Sequence, residues 1–569
     1  MADTSNDAPG TKPPKPTKEI SMELRLLLAF ILMGVVLFLT PYFYKSSIPP
    51  QQARKTTPPA QSTKTAEPPK SEAQAAVPPA AGRVTAEAEQ SYTVETDVYR
   101  ITFTNRGAVV RSWLLKKHLS HAGKPLELVN TAAKTPGPFA FHFPDRKPGA
   151  DLNQALYRAE QSADGLGIAF EYADGNVVAR KSFKFHKNSY LSQIQSQVSD
   201  NGKPIVQQLA WRGGFGDLAV PNPAAAEQTV HFDLGSGKLI KNTAKSAKDG
   251  PVTASGQFSF AGLEDTYFAA VFLPETSSGI QITTFSDSAP TVLDQKEQPF
   301  AGAAVGEGGT NRFALFVGPK DLDLLRSVHP RLEQLVDFGW FAFLAKPLFL
   351  IVNWANDHIV HNYGWAIILV TIALNFALFP LKISSMKSMK KMQALQPQIA
   401  AINEKYRNVS LRDPRKQQQN QEVMELYKKH GVNPAGGCVP MLLQIPFFIA
   451  FYKVFTVSVE MRGANWLWVT DLSQPESLPI HLLPILMIAS QFIMQKMTPT
   501  SGADPSQQRM MMLMPLVFGF MFYNLSSGLV LYYLTSNLVG IAQQWFFNKT
   551  AVAAQVAQSV QPKKKSNRK

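Results

Sequence analysis

The apolar positions of this chain fall into two distant groups. Leu26–Tyr44 (LLLAFILMGVVLFLTPYFY) runs for 19 residues without a charge, close to the roughly 20 that cross a bilayer as one helix. Lys12, Lys15, Lys18 and Arg25 precede it, and KSSIPPQQARK follows with no A-x-A cleavage site. An uncleaved anchor is therefore expected, not a signal peptide. The second group lies near the C-terminus, at 364–381, 439–459, 482–497, 510–525 and 528–547. With the anchor it predicts six spans. A run of 16 residues such as 482–497 makes a helix only about 24 Å long, which implies extra turns at its ends or a locally thinned bilayer.

The intervening chain follows other periods. Residues 45–82 are rich in Pro, Ala and Lys and read as a semi-extended linker. From 83 to 325 the pattern is that of strands. SYTVETDVYRITF alternates over part of its length, and GIAFEYA-DG-NVVARKSFKF reads as a hairpin about Asp174-Gly175. An all-β sandwich domain is expected there. Residues 321–336 look helical. FGWFAFLAKPLFLIVNWANDHIV (338–360) is apolar but interrupted at Lys346-Pro347, which suits a helix lying on the membrane surface better than a span. The stretch 382–430 is polar, basic and rich in helix formers, with a break near Asn408–Pro414; two short helices paired antiparallel are expected.

Charge orients these pieces. Segments 1–25, 382–430, 496–509 and 548–569 together carry 23 Lys and Arg against 9 Asp and Glu, or +14 of the chain's net +15. By the positive-inside rule they are cytoplasmic. The expected topology has both termini inside and residues 45–362 outside, with Trp466 and Trp468 in an outer loop suited to an interfacial belt. A single Cys in 569 residues rules out disulfides within the chain and any Cys-based metal cage.

Catalytic signatures are missing. The chain has no G-x-x-x-x-G-K-[ST], G-x-S-x-G or H-E-x-x-H, and neither enzyme chemistry, cofactor nor metal is expected. The pairs His118/His121 and His358/His361 read as turn and interface histidines, and GEGGTN (306–311) precedes a strand rather than a helix, a poor phosphate cradle. Cys438 at the mouth of a span reads as a small buried hydrophobe. Polar residues within the apolar runs say more. Thr371 and Asn375 are four apart and share a helix face, which Leu378 and Lys382 extend. Gln444, Gln491, Thr535, Ser536 and Asn537 lie inside other runs. An amide in hydrocarbon needs a partner or water, so the set predicts hydrogen bonds between helices or a polar groove. RMMMLMPLVFGFMF (509–522) is Met-dense, suited to varied apolar partners or to core packing. The tail KKKSNRK (563–569) suits anionic lipid headgroups or ribosomal RNA.

Four ordered stretches, GWAIILVTIALNFALFPLKISSMKSMKKMQALQPQI (364–399), LYKKHGVNPAGGCVPMLLQIPFFIAFYKV (426–454), LPILMIASQFIMQKM (483–497) and SSGLVLYYLTSNLVGIAQQ (526–544), resemble the YidC membrane-protein insertases, relatives of the mitochondrial Oxa-type and plastid proteins. The anchor and large outer domain resemble the Gram-negative branch. The resemblance implies a polytopic α-helical protein with a five-span insertase core (361–547), a periplasmic β-supersandwich (83–325) and interfacial helices (326–360). It implies a bacterial inner-membrane insertase and folding chaperone, with nascent membrane proteins, the Sec translocon, the ribosome and anionic lipids as partners, acting as a monomer. Its working element is a hydrophilic groove open to cytoplasm and lipid, to which motif matching assigns Asn375, Gln444 and Tyr533, and which Thr371 and Lys382 join as members of the Asn375 stripe. Many relatives carry a positive residue, often Arg, where this chain has Asn375. Lys382, two turns on, is the expected source of the missing charge. A small-solute transporter or channel with a periplasmic binding domain is the alternative; it predicts inverted repeats or paired intramembrane charges, and neither is evident.

Overall fold

The computed structural model describes residues 82–560 except 121–122, 221, 276–278, 294, 408–412, 432–438 and 498–504. The apolar run 26–44, nearly all of the linker, His121, Cys438 and the tail 563–569 lie outside the described residues.

Among the described residues, the chain from Ser91 to Pro319 forms three antiparallel sheets of four, ten and five strands. Gly167–Asp174 and Val177–Lys184 form the expected hairpin, with Asp174 opposite Val177. The turn is Gly175-Asn176, and Gly175 takes φ 60°, a left-handed conformation that costs glycine little. Glu297–Gly308 belongs to the five-stranded sheet and Thr310–Pro319 to the ten-stranded one. The Gly-rich GEGGTN segment is thus where the chain changes sheets, and a Cβ on Gly309 would come within 2.6 Å of Pro204 Cβ. Aromatic rings fill the space between layers. Phe139 lies 6.0 Å from Trp113, 5.7 Å from Trp211 and 6.1 Å from Phe272, centroid to centroid.

One cation sits in this core. Lys181, 1% exposed, donates to the carbonyls of Gly107 (2.9 Å), Ala108 (3.2 Å) and Phe139 (2.7 Å). Those three residues have positive φ, at 72°, 50° and 68°. Burial pushes the Lys181 ammonium well below its ordinary pKa.

Helices follow the sheets. The helix α1 (Leu322–Val328) is N-capped by Asp321, which accepts from Leu324 N at 2.8 Å, and a 3₁₀ turn at Pro330–Leu335 follows. Helix α2 (Ala342–Ala355) buries Ala345, Leu348, Phe349, Val352 and Ala355, spaced for one face. Phe343, Leu350, Ile351 and Trp354 are exposed on the other side, beside Trp340. A π turn at Asn356–Val360 and a left-handed His361 lead to α3 (Tyr363–Ala377). The α2 segment and α3 meet at 114°.

Proline sets the next breaks. Helix α3 ends at Leu378 and α4 (Phe379–Ala394) begins with Pro380 in its first turn. Helix α5 (Gln396–Lys405) starts the same way with Pro397. Neither proline has an N–H for the ladder, so the basic segment forms three helical pieces where the sequence pattern predicts two. Helix α5 pairs with α6 (Arg415–Lys429) through buried Leu395, Ile399 and Tyr427. Lys405 Nζ and the Tyr406 hydroxyl both donate to Glu422 Oε1, at 2.7 and 2.8 Å. The remaining helices are α7 (Val439–Val457), α8 (Leu482–Met497), α9 (Pro505–Phe522) and α10 (Ser527–Val560). Among the described residues no single helix is long and apolar enough to cross a membrane; α2 and α3 together meet that test as a bent pair.

Beyond α7, Glu460 is held against the start of α1. Burial, with Asp321 and Asp323 nearby, pushes its carboxyl up to about 8. The folded state then binds more protons than the unfolded chain, so stability falls as pH rises from about 4.5 to about 8. The slope from this group is at most about 1.4 kcal/mol per pH unit. Thermal melts of the parent and Glu460→Gln from acid to mild alkali should show a shallower decline in the variant. Parallel curves would exclude Glu460 as the titrating group.

Candidate functional site

The polar residues of α3 face α7 and α10. Thr371 is fully buried, and its hydroxyl donates to Ile367 O at 2.6 Å within its own helix. One turn on, Asn375 Nδ2 donates to Thr371 O at 2.8 Å and lies 3.4 Å from Ser536 Oγ on α10. Gln444 of α7 donates from Nε2 to the same Ser536 Oγ at 3.3 Å. Gln543 of α10 donates to Asn375 O at 3.2 Å. Three helices are thereby joined through side-chain amides and one hydroxyl.

The cation comes from α4. Lys382 Nζ donates to Asn375 Oδ1 at 2.6 Å. Helical side chains lean toward the N-terminus of their helix, so a long lysine stem two turns beyond Asn375 reaches back over the Leu378 break. Among the described residues Lys382 makes no ion pair with a carboxylate. Asn375, Lys382, Gln444 and Ser536 line one cavity, walled by Phe447 and Tyr532 among others, with a volume of about 20 Å³. That is room for about one water. Each neutral hydrogen bond between spans contributes only about 0.6 kcal/mol, so interhelical adhesion alone does not require a lysine here.

Of the residues singled out in the sequence, Asn375, Lys382, Gln444 and Ser536 converge on this cavity. Thr371 sits a turn away with its hydroxyl engaged. Tyr533 packs against Phe448 and Phe522, at 6.4 and 5.0 Å between centroids; its neighbour Tyr532 lines the cavity and stacks on Phe451 at 4.2 Å. The YY doublet is ambiguous in sequence because adjacent helical residues diverge by about 100°. Sequence reasoning misses Gln543; its seven-residue spacing from Ser536 is the signal that finds it. Asn537 points elsewhere, donating to Ser490 Oγ of α8 at 3.0 Å. Gln491 Oε1 and Gln543 Oε1 are buried without a partner among the described residues.

The far end of the helix cluster is covered by the loop between α7 and α8. Trp466 is 7% exposed and packs between Trp365 and Trp468, so it is an internal contact, unlike the interfacial belt its position suggests. Trp468 Nε1 and Leu483 N both donate to Glu476, at 2.7 and 2.8 Å. Among the described residues no three His, Cys, Asp or Glu side chains form a group able to hold a metal. His118 lies edge-on to Phe268, and His358 Nδ1 is 3.1 Å from Trp354 O.

Two family profiles match the chain. One, described as the YidC periplasmic domain, covers residues 91–351; the other, described as the 60Kd inner membrane protein, covers 354–554. The chain is 33% identical over 559 residues to the membrane protein insertase YidC of Syntrophus aciditrophicus, covering 93% of this chain and 100% of that one. It is 35% identical over 556 residues to the membrane protein insertase YidC of Geobacter metallireducens, covering 94% and 100%. A solved structure described as an active YidC insertase with the first transmembrane domain resolved aligns at 20% identity over 92% of this chain and 99% of that one, with a TM-score of 0.36. On end-to-end identity to these relatives and on both profiles, the chain belongs to the YidC family of membrane protein insertases, in the form that carries a mostly β-sheet periplasmic domain.

Proposed function

We propose that this chain inserts membrane proteins into the bacterial inner membrane, through a polar groove whose charge is Lys382. The observation that carries the reading is the Lys382 ammonium, bonded to a neutral amide and to no carboxylate among the described residues. A cation so placed retains donors for an incoming acidic group. Asn375, Gln444 and Ser536, with Thr371 a turn above, keep its surroundings polar, and Tyr533 backs the aromatic wall. The cavity about the ammonium is small, about 20 Å³, so admitting a substrate requires Lys382 and α4 to move.

In this reading six spans (26–44, 364–381, 439–459, 482–497, 510–525 and 528–547) cross the membrane with both termini in the cytoplasm. The β-domain of 83–325 and the surface helices of 326–360 face the periplasm. The basic hairpin 382–430 and the tail 548–569 face the ribosome and anionic headgroups. The substrates are nascent membrane proteins, received directly or from the Sec translocon, and the unit is a monomer. Exposing a polar segment to hydrocarbon costs several kcal/mol per unsatisfied group; a wet half-path in a thinned bilayer shortens that exposure. Partition of the substrate's apolar span drives the step, at about 25 cal/mol per Å² buried, so no nucleotide or catalytic residue is required.

The test uses the full chain in liposomes beside translation of a short Sec-independent substrate. Protease-protected tails above empty liposomes, lost on deleting 382–430 and reduced by Asn375→Leu, are expected. No protection above empty liposomes would overturn autonomous insertion.

A further inference from the structure

One residue of the α7–α8 loop is sunk into the periplasmic domain. Arg462 lies just beyond α7, and its side chain is 5% exposed. Its Nε donates to Asp217 Oδ2 at 2.9 Å, Nη2 donates to the same oxygen, and Nη1 donates to Leu119 O at 2.7 Å. The Phe268 ring lies 5.7 Å from the guanidinium carbon. The Asp217 side chain is fully buried. Asp217 is itself held, its N–H donating to Asp265 Oδ2 at 2.7 Å. Gly216 leaves room for that approach, since a Cβ there would lie 2.0 Å from the same carboxylate oxygen.

The loop then reaches α10. Leu472 N donates to Ala464 O at 2.9 Å, while Ser527 N and Gly528 N, at the start of α10, donate to Gln474 O and Leu472 O, both at 2.8 Å. A helix N-terminus leaves such donors without intrahelical partners; here the loop backbone satisfies them. Ser527 is 1% exposed beneath this loop, and its hydroxyl has no partner among the described residues. Tyr532 and Ser536 of the cavity follow on the same helix.

We propose that Asp217 and Arg462 form a strut by which the periplasmic domain holds the α7–α8 loop closed over the outer end of α10. The periplasmic domain is then a structural part of the outer seal of the core. Arg462 and Asp217 are positioning residues, acting through the loop on α10. The inference rests on the orientation proposed above, in which this end faces the periplasm.

The test places one thiol beneath the loop. In full-length protein with Cys438→Ala and Ser527→Cys, spheroplasts are treated with a membrane-impermeant maleimide. Modification should be slow in this parent and about tenfold faster or more with Arg462→Met, as expected when breaking the pair favours local opening. Asp217→Asn is the milder variant, keeping the shape and an oxygen for Ala219 N. The double variant should react no faster than the faster single one, because both remove the same contact. Protease resistance of the periplasmic domain in the same samples separates loop opening from unfolding. If Arg462→Met does not accumulate, Asp217→Asn decides. A folded Asp217→Asn protein in which Ser527→Cys stays as protected as in the parent would overturn the strut. Insertion assayed in parallel separates the two readings: faster modification with insertion retained supports the strut, whereas failure of the parent to insert counts against the groove alone.

Discussion

Lys382→Met is expected to lower the initial rate of substrate insertion by roughly 10- to 100-fold, the kinetic equivalent of a charged hydrogen bond of about 1.5–3 kcal/mol. Methionine keeps most of the stem volume, so apolar packing around Leu378 and Phe447 changes little. What is lost is the donor to Asn375 Oδ1. Among the described residues that oxygen then keeps only the Ser536 hydroxyl at 3.5 Å, and the cavity loses its charge. Lys382→Arg should retain most of the rate, since it restores the charge with more donors. Gln444→Leu removes one neutral bond to Ser536 and should cost about threefold at most. Protease-protected substrate counted against time in liposomes gives all three rates. A Lys382→Met protein inserting at the parental rate would remove the ammonium from the mechanism and leave the groove's function, if any, to its neutral amides.

The second large effect lies far from the groove. Lys181→Met should lower the thermal midpoint of the periplasmic domain by roughly 10 °C. Two effects oppose each other. Removing the ammonium relieves the cost of burying a charge, which by itself favours the variant. It also orphans the carbonyls of Gly107, Ala108 and Phe139, at about 1–3 kcal/mol each. Those carbonyls belong to residues with φ of 72°, 50° and 68°, and the two non-glycine residues among them are ones such a conformation does not favour. The orphaned acceptors outweigh the relief, leaving a net loss of about 3 kcal/mol, or 2–4 °C per kcal/mol for a domain of this size. Melting followed by protease resistance of the periplasmic domain within the full chain measures it. An unchanged or raised midpoint would mean that the cost of burying the ammonium outweighs the bonds it makes.

The apolar runs, the linker and the alternating strand patterns are written in local sequence, because each reports on a backbone preference or a period of two or 3.6 residues. The hairpin at Gly175 and the helical character of 382–430 are legible for that reason. The pattern does not single out the breaks at Pro380 and Pro397, since Pro347 sits inside α2 without ending it. Asn375 and Lys382 are legible as a stripe too, since a seven-residue spacing places them on one face of a continuous helix; the chain breaks at Leu378, and Lys382 reaches back from α4. Their partners are not legible. Ser536 and Gln543 come from a helix more than 150 residues away, and nothing local selects them over Thr535 or Asn537, which face other directions. Tyr532 rather than Tyr533 turns to the cavity because α10 is rotated by its packing against α3 and α8, a property of three helices together. The same holds for Lys181 and Arg462. Each reads in sequence as one more surface cation on a basic chain; only the layering of distant strands and the docking of a loop bury it. Local pattern therefore determined which elements form and which faces are polar. Tertiary structure decided which polar groups meet, because burial and hydrogen-bond partnership depend on surfaces brought together from remote parts of the chain.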